Sequence, residues 1–177
     1  MKALFLRLLA VVACLLAASS SALCADPFPP VWSVTLLSSP FHVGDDNIKA
    51  FSVPQPNARQ YHTTFTLSDS VSHTLADRFV IVIDIADLTS PADPHSARAM
   101  GHGKYLTKLY LNGAEITVLN RLVHKHEGAQ NVDHLVIPIE SKALKDGQNT
   151  IEIVPGSAAR NIDDFELRRV VVQKGGL

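Results

Sequence analysis

VDHLVIPIESKALKDGQNTIEIVPGSAARNIDDFELRRVVV, residues 132 to 172, is the stretch whose reading decides the fold. Leu135, Ile137 and Ile139 alternate with His134, Val136 and Pro138. Ile151 and Ile153 alternate in the same way with Thr150, Glu152 and Val154. A period of two is the signature of strands with one buried face. Phe165 and Leu167 repeat it against Asp164, Glu166 and Arg168, and Val170 to Val172 form a run apolar on both faces. Between the first two strands Leu144 pins a helical turn, and Asp146-Gly147 supplies a corner with positive φ. The upstream chain is then expected to furnish the other half of a sandwich closing over these three strands.

Working outward, Tyr105 to Leu111, Asn112-Gly113 and Ala114 to Leu119 read as a hairpin with a two-residue turn, because Asn-Gly tolerates positive φ at both central positions. Arg78 to Ile85, RFVIVIDI, is apolar on both faces as far as Val82 and reads as a central strand. Tyr61 to Leu67, YHTTFTL, places Thr63, Phe65 and Leu67 on one side and His62, Thr64 and Thr66 on the other. Val31 to Leu37 is the first strand, with Trp32, Val34 and Leu36 on one face. The segment from Pro40 to Gln60 is a long connection with a short strand at Ala50 to Val53. Residues 86 to 104 form a second long loop, carrying His95 and His102, and loops of that length are commonly functional.

The run KLYLNGAEI, the turn LKDGQN, the strand IEI and the opening DDFEL together resemble a galactose-binding-like jelly roll. That fold recurs in carbohydrate-binding modules and in accessory domains of glycoside hydrolases and polysaccharide lyases. The resemblance implies an all-β jelly-roll β-sandwich of two antiparallel sheets, and a glycan as ligand. It further implies a structural calcium, because an Asp opening the last strand is a ligand in such modules, and Asp163 stands there with Asp164 beside it. The first strand lacks the acidic partner such modules commonly supply, so Asp45 or Asp46 would take its place. Gly44-Asp45-Asp46-Asn47 is itself oxygen-rich, which suits either a solvated turn or half of a site for a hard cation.

Met1 to Ala22 has the plan of a secretory signal peptide: Lys2 and Arg7, an apolar run from Leu8 to Ala18, then small residues ending at Ala22, with Ala25 as a later cut. A secreted or periplasmic single domain over residues 23 to 177 follows, with no membrane span expected in it. Of the two cysteines, Cys14 lies in the signal and Cys24 at its edge, so the folded part holds no internal disulfide. Losing Lys2 and Arg7 moves the net charge from −1 to about −3, and no basic run remains, which argues against nucleic acid.

No nucleophile elbow, zinc-protease helix, phosphate loop or dinucleotide fingerprint is present, and the reading is a non-enzymatic binding domain. Carboxylates for glycoside hydrolysis would have to come from Asp84, Asp87, Asp163 and Glu166. Sugar recognition calls for an aromatic platform beside polar partners; Trp32 and Tyr110 are among the few aromatics. The ligand candidates are Tyr61, Arg98, His102, Tyr105 and Arg121, and the calcium candidates are Asp45, Asp46, Asp163 and Asp164. His124 and His126 suit either a polar surface or a shared zinc or copper ion. The competing class is a structural or protein-interaction subunit of an extracellular or envelope assembly.

Overall fold

The computed structural model describes residues 32–67, 78–125, 128–159 and 161–174. The expected signal segment and His126 lie outside them. In chain order the strands are β1 (Trp32–Leu37), β2 (Phe41–Val43), β3 (Tyr61–Leu67), β4 (Phe79–Ala86), β5 (Lys108–Leu111) and β6 (Ala114–Val118). After them come β7 (Val132–Ile139), β8 (Gly147–Val154), β9 (Ser157–Ala158), β10 (Asn161–Ile162) and β11 (Phe165–Lys174). A helix, α1 (Pro94–Gly101), lies between β4 and β5.

One antiparallel sheet runs β1-β11-β4-β7, with β2 also pairing along β11, and the other runs β3-β8-β5-β6. This is the expected all-β jelly-roll sandwich, with one correction. The stretch from Val132 to Val172 does not make one half of it: β7 and β11 belong to the first sheet and β8 to the second. Crossing between sheets lets both inner faces contribute to one core. Ile81, Ile83, Ile137 and Val172 from the first sheet meet Phe65, Leu109, Ile151 and Ile153 from the second in a single buried cluster.

β4 is central, flanked by β11 and β7, and Val80, Val82 and Val171 form a second buried cluster apart from the main core. That burial explains a strand with few polar residues. The sequence FELRRVVV has two successive polar residues because the pairing of β11 with β4 shifts between Leu167 and Arg169. The bulge keeps Phe165 and Leu167, then Val170 and Val172, facing the core. Asn112 and Gly113 adopt φ of 54° and 81°, as the hairpin requires. The Asn112 side chain then donates to Ala143 O and Asn149 Oδ1 and accepts from Thr150 N, tying the turn to β8.

Three local expectations change. Ala50 to Val53 is not a strand, because the Ser52 and Val53 amides donate to the buried Glu166 carboxylate, at 2.6 and 3.2 Å, rather than to a neighbouring strand. Phe41 to Val43, read as connection, pairs with Phe165 to Leu167. The loop from residue 86 to 104 contains α1, whose start is capped by Asp93 accepting from the His95 and Ser96 amides at 2.7 and 3.1 Å, with Pro94 in the first turn.

Candidate functional site

A surface cleft of about 280 Å³ opens where four connections meet: the turn after β2, the segment after β4 with α1, the approach to β5, and β10 with the start of β11. Asp46 and Ile48 come from the first, Thr89 and Ser96 from the second, Tyr105 from the third, and Asn161, Ile162, Asp163 and Asp164 from the last.

The cleft borders a buried polar network. Asp163, two residues before β11, is only 4 % exposed. Its Oδ1 accepts from Thr89 Oγ1 at 2.7 Å, and its Oδ2 accepts from Asn120 Nδ2 at 3.2 Å and Thr107 Oγ1 at 3.4 Å. Asn120 also accepts from the Thr107 amide at 2.6 Å and donates to Thr89 O at 2.8 Å. Asp163 and Asn120 each bond more than one segment, which fixes the segments around the cleft relative to the sandwich.

At the lip, Tyr105 is held at φ 54°, a left-handed conformation costly for a bulky side chain. The backbone of Gly156 runs against it. A Cβ at Gly156 would fall 2.1 Å from Leu106 N and 2.5 Å from Tyr105 Cα, so only glycine permits the approach. The amide of Tyr105 donates to Ser157 O at 3.3 Å.

The acidic side of the lip is Asp164, whose Oδ1 accepts from the Asp45 and Asp46 amides, each at 3.1 Å, and faces His42 Nε2 at 3.2 Å. A Cβ at Gly44 would lie 1.8 Å from that oxygen, so the chain crosses beneath the carboxylate. His42 is fully buried and its Nδ1 lies 3.0 Å from Val53 O. Asp45 Oδ2 accepts from Arg59 Nη2 at 2.8 Å. Asp46 offers an exposed carboxylate.

The structure therefore brings Asp45, Asp46 and Asp164 together, with one carboxylate oxygen of each within 4.8 Å of the others, and sends Asp163 elsewhere. As calcium ligands these groups fit poorly. Oδ1 of Asp164 already accepts from N–H donors, Asp45 is paired with Arg59, and Asp163, turned into its own network, is outside the cluster, whereas calcium takes six to eight oxygens.

Of the ligand candidates only Tyr105 lines the cleft. Tyr61 is a core residue, 4 % exposed, stacked edge-on against Phe41 and donating to Leu36 O at 3.3 Å; it shares the strand parity of Phe65 and Leu67. Burial pushes its phenol up, against a smaller lowering by the hydrogen bond to Thr63. Arg98 on α1, His102 at its C-terminal cap and Arg121 after β6 are exposed and do not line the cleft. Asn161, Ile162, Ser96 and Thr89 had no distinguishing signal in the sequence, since turns and short hairpins alone bring them together. His124 is exposed, and its amide donates to Asp133. Among the described residues no helix is long and apolar enough to cross a membrane.

No protein-family model matches the chain, and no curated protein matches it. Solved structures are similar to it. One is the EclA C-terminal domain, described as a sugar-binding protein, at 14% identity and TM-score 0.39 over 88% of this chain and 86% of that one. Another is a family 35 carbohydrate-binding module from an environmental isolate, at 15% identity and TM-score 0.35 over 77% and 91%. A third is a β-porphyranase of glycoside hydrolase family 86 from Bacteroides plebeius, at 12% identity and TM-score 0.37, covering 82% of this chain and 21% of that one.

Proposed function

We infer that this chain is an exported, non-catalytic domain that binds a glycan in the cleft beside Tyr105. The observation that carries the reading is the backbone of Tyr105. A bulky aromatic kept at φ 54° among the residues lining a polar cleft, with Gly156 packed against it, is strain retained at a position bordering ligand-sized space. The cleft falls just below the roughly 300–1,000 Å³ typical of ligand sites, which suits one or two sugar rings. Tyr105 supplies a ring face, while Ser96, Asn161 and Asp46 supply hydroxyl, amide and carboxylate groups at the rim. A non-catalytic role is supported by the state of the acidic residues: Asp84 is bonded to His134 at 2.6 Å, and Asp163 and Glu166 are buried under internal donors.

Tyr105→Gly tests this in one variant. Glycine accepts φ 54° without penalty, so the melting temperature is expected to stay level or rise slightly. Glycan binding, read on an oligosaccharide array and then by calorimetry, is expected to fall at least about tenfold, near 1.4 kcal/mol. Binding unchanged in Tyr105→Gly would remove the cleft from the function.

A further inference from the structure

We propose that Asn112 is a site of spontaneous deamidation, closed while the turn between β5 and β6 is docked on β8, and that the modified turn no longer fits its partners. Asn112-Gly113 is the only Asn-Gly pair in the chain. In such a pair the amide nitrogen of Gly113 attacks Asn112 Cγ, since glycine has no side chain to crowd the approach. A bond forms between Gly113 N and Asn112 Cγ, the Cγ–Nδ2 bond breaks, and Nδ2 leaves as ammonia with the proton from Gly113 N. Water then opens the succinimide to aspartate or to isoaspartate, and the second product adds one carbon to the backbone. Gly113 is exposed, and beyond its chain neighbours no atom lies within 4 Å of where its Cβ would stand, so water reaches the turn.

The docked turn withholds the group that must react. Asn112 Nδ2 donates to Ala143 O at 2.8 Å and to Asn149 Oδ1 at 2.9 Å, Asn112 Oδ1 accepts from Thr150 N at 3.0 Å, and the Asn112 amide donates to Thr150 O at 2.8 Å. Rotation of the carboxamide toward the Gly113 nitrogen requires its three side-chain bonds to break. The same partners reject the product. Asn149 cannot turn its amide over, because its Oδ1 also accepts from Lys145 N while its Nδ2 donates to Lys145 O and Gly147 O. A carboxylate at position 112 would therefore set an acceptor against two acceptor oxygens, and only an amide supplies both the donors and the acceptor needed there.

The experiment incubates the full mature chain at mildly alkaline pH beside a synthetic peptide of residues 108–117, with deamidation at Asn112 read by peptide mass mapping. Hydrogen exchange of the Thr150 amide, whose acceptor is Asn112 Oδ1, reports opening of the same contact. The folded chain is expected to deamidate at least about tenfold more slowly than the peptide, and urea below the unfolding transition to speed deamidation and Thr150 exchange by the same factor. Asn112→Asp is expected to melt below wild type and also below Asn112→Gly, which drops the side chain but accepts φ 54° without strain. Equal rates in chain and peptide, or deamidation that rises while Thr150 exchange does not, would overturn the gate. Asn112→Asp melting together with wild type would overturn the misfit of the product.

Discussion

Glu166→Ala is expected to destabilise the domain by about 3 kcal/mol, the scale for removing one member of a buried charged pair. In a domain of this size that lowers the melting temperature by roughly 6–12 °C. Glu166 is fully buried, and its carboxylate accepts from the Ser52 and Val53 amides, from Ser52 Oγ at 3.1 Å and from Arg168 Nε at 2.9 Å. It is the clamp holding the long connection after β2 onto β11. Truncation strands two amides and a half-buried guanidinium at once. Burial pushes this carboxyl up, but the hydrogen bonds from Arg168, Val53 and Ser52 outweigh it and hold the group below the usual carboxylate range. A carboxyl with a depressed folded pKa stabilises fully above its unfolded value near 4.3, and that contribution is lost as pH falls through the lower folded value. Thermal melts from pH 7 to 3 should therefore show the stability gap between wild type and Glu166→Gln closing below about pH 4. A gap that stays constant across this range would mean the charge of Glu166 does not support the fold.

The clamp shows what sequence could and could not convey. The strands were legible wherever side chains obeyed a period of two, since burial on one face writes that period directly; β7, β8 and β3 are such cases. β4 was legible for the opposite reason, an apolar run needing cover on both faces. The assignment of strands to sheets was not legible, because alternation records that a face is buried and not which sheet faces it. The same blindness produced the error at Ala50 to Val53. A short, mostly apolar run ending in a β-branched residue looks like a strand until the partner of its amides is known, and here that partner is a carboxylate more than a hundred residues away.

Strand parity also bears on the site. Tyr61 has the parity of Phe65 and Leu67, which removes it from the surface. Asp163 has the parity of Phe165, so alternation turns it inward and turns Asp164 toward the lip. Burying a carboxyl is costly unless it is bonded, and its bonds come from Thr89, Thr107 and Asn120, residues that only the completed fold brings together. The rest of the cleft is assembled from turns with no periodicity, and a sequence without periodicity does not report which turns meet.

Asp163→Ala is the second large effect, and it separates a buried anchor from a calcium ligand. The substitution leaves Thr89 Oγ1, Asn120 Nδ2 and Thr107 Oγ1 without the acceptor they share. Each buried donor left unsatisfied costs about 1–3 kcal/mol, so a loss of about 3 kcal/mol or more is expected, with the cleft distorted as well. An anchor destabilises equally in millimolar calcium and in chelator. A ligand behaves differently, because binding to the folded state alone adds RT ln(1 + [L]/Kd), about 2.7 kcal/mol at a hundred times Kd, and the mutant would lose that increment only when calcium is present. Parallel melts of wild type, Asp163→Ala and Asp164→Asn with and without calcium distinguish the two. We expect the wild-type curves to coincide and the Asp163→Ala deficit to be the same in both buffers. The Asp164→Asn deficit should be smaller, since an amide oxygen can still accept from the Asp45 and Asp46 amides. A wild-type melt raised several degrees by calcium, with the increment lost in Asp164→Asn, would restore the cation and place it on the lip.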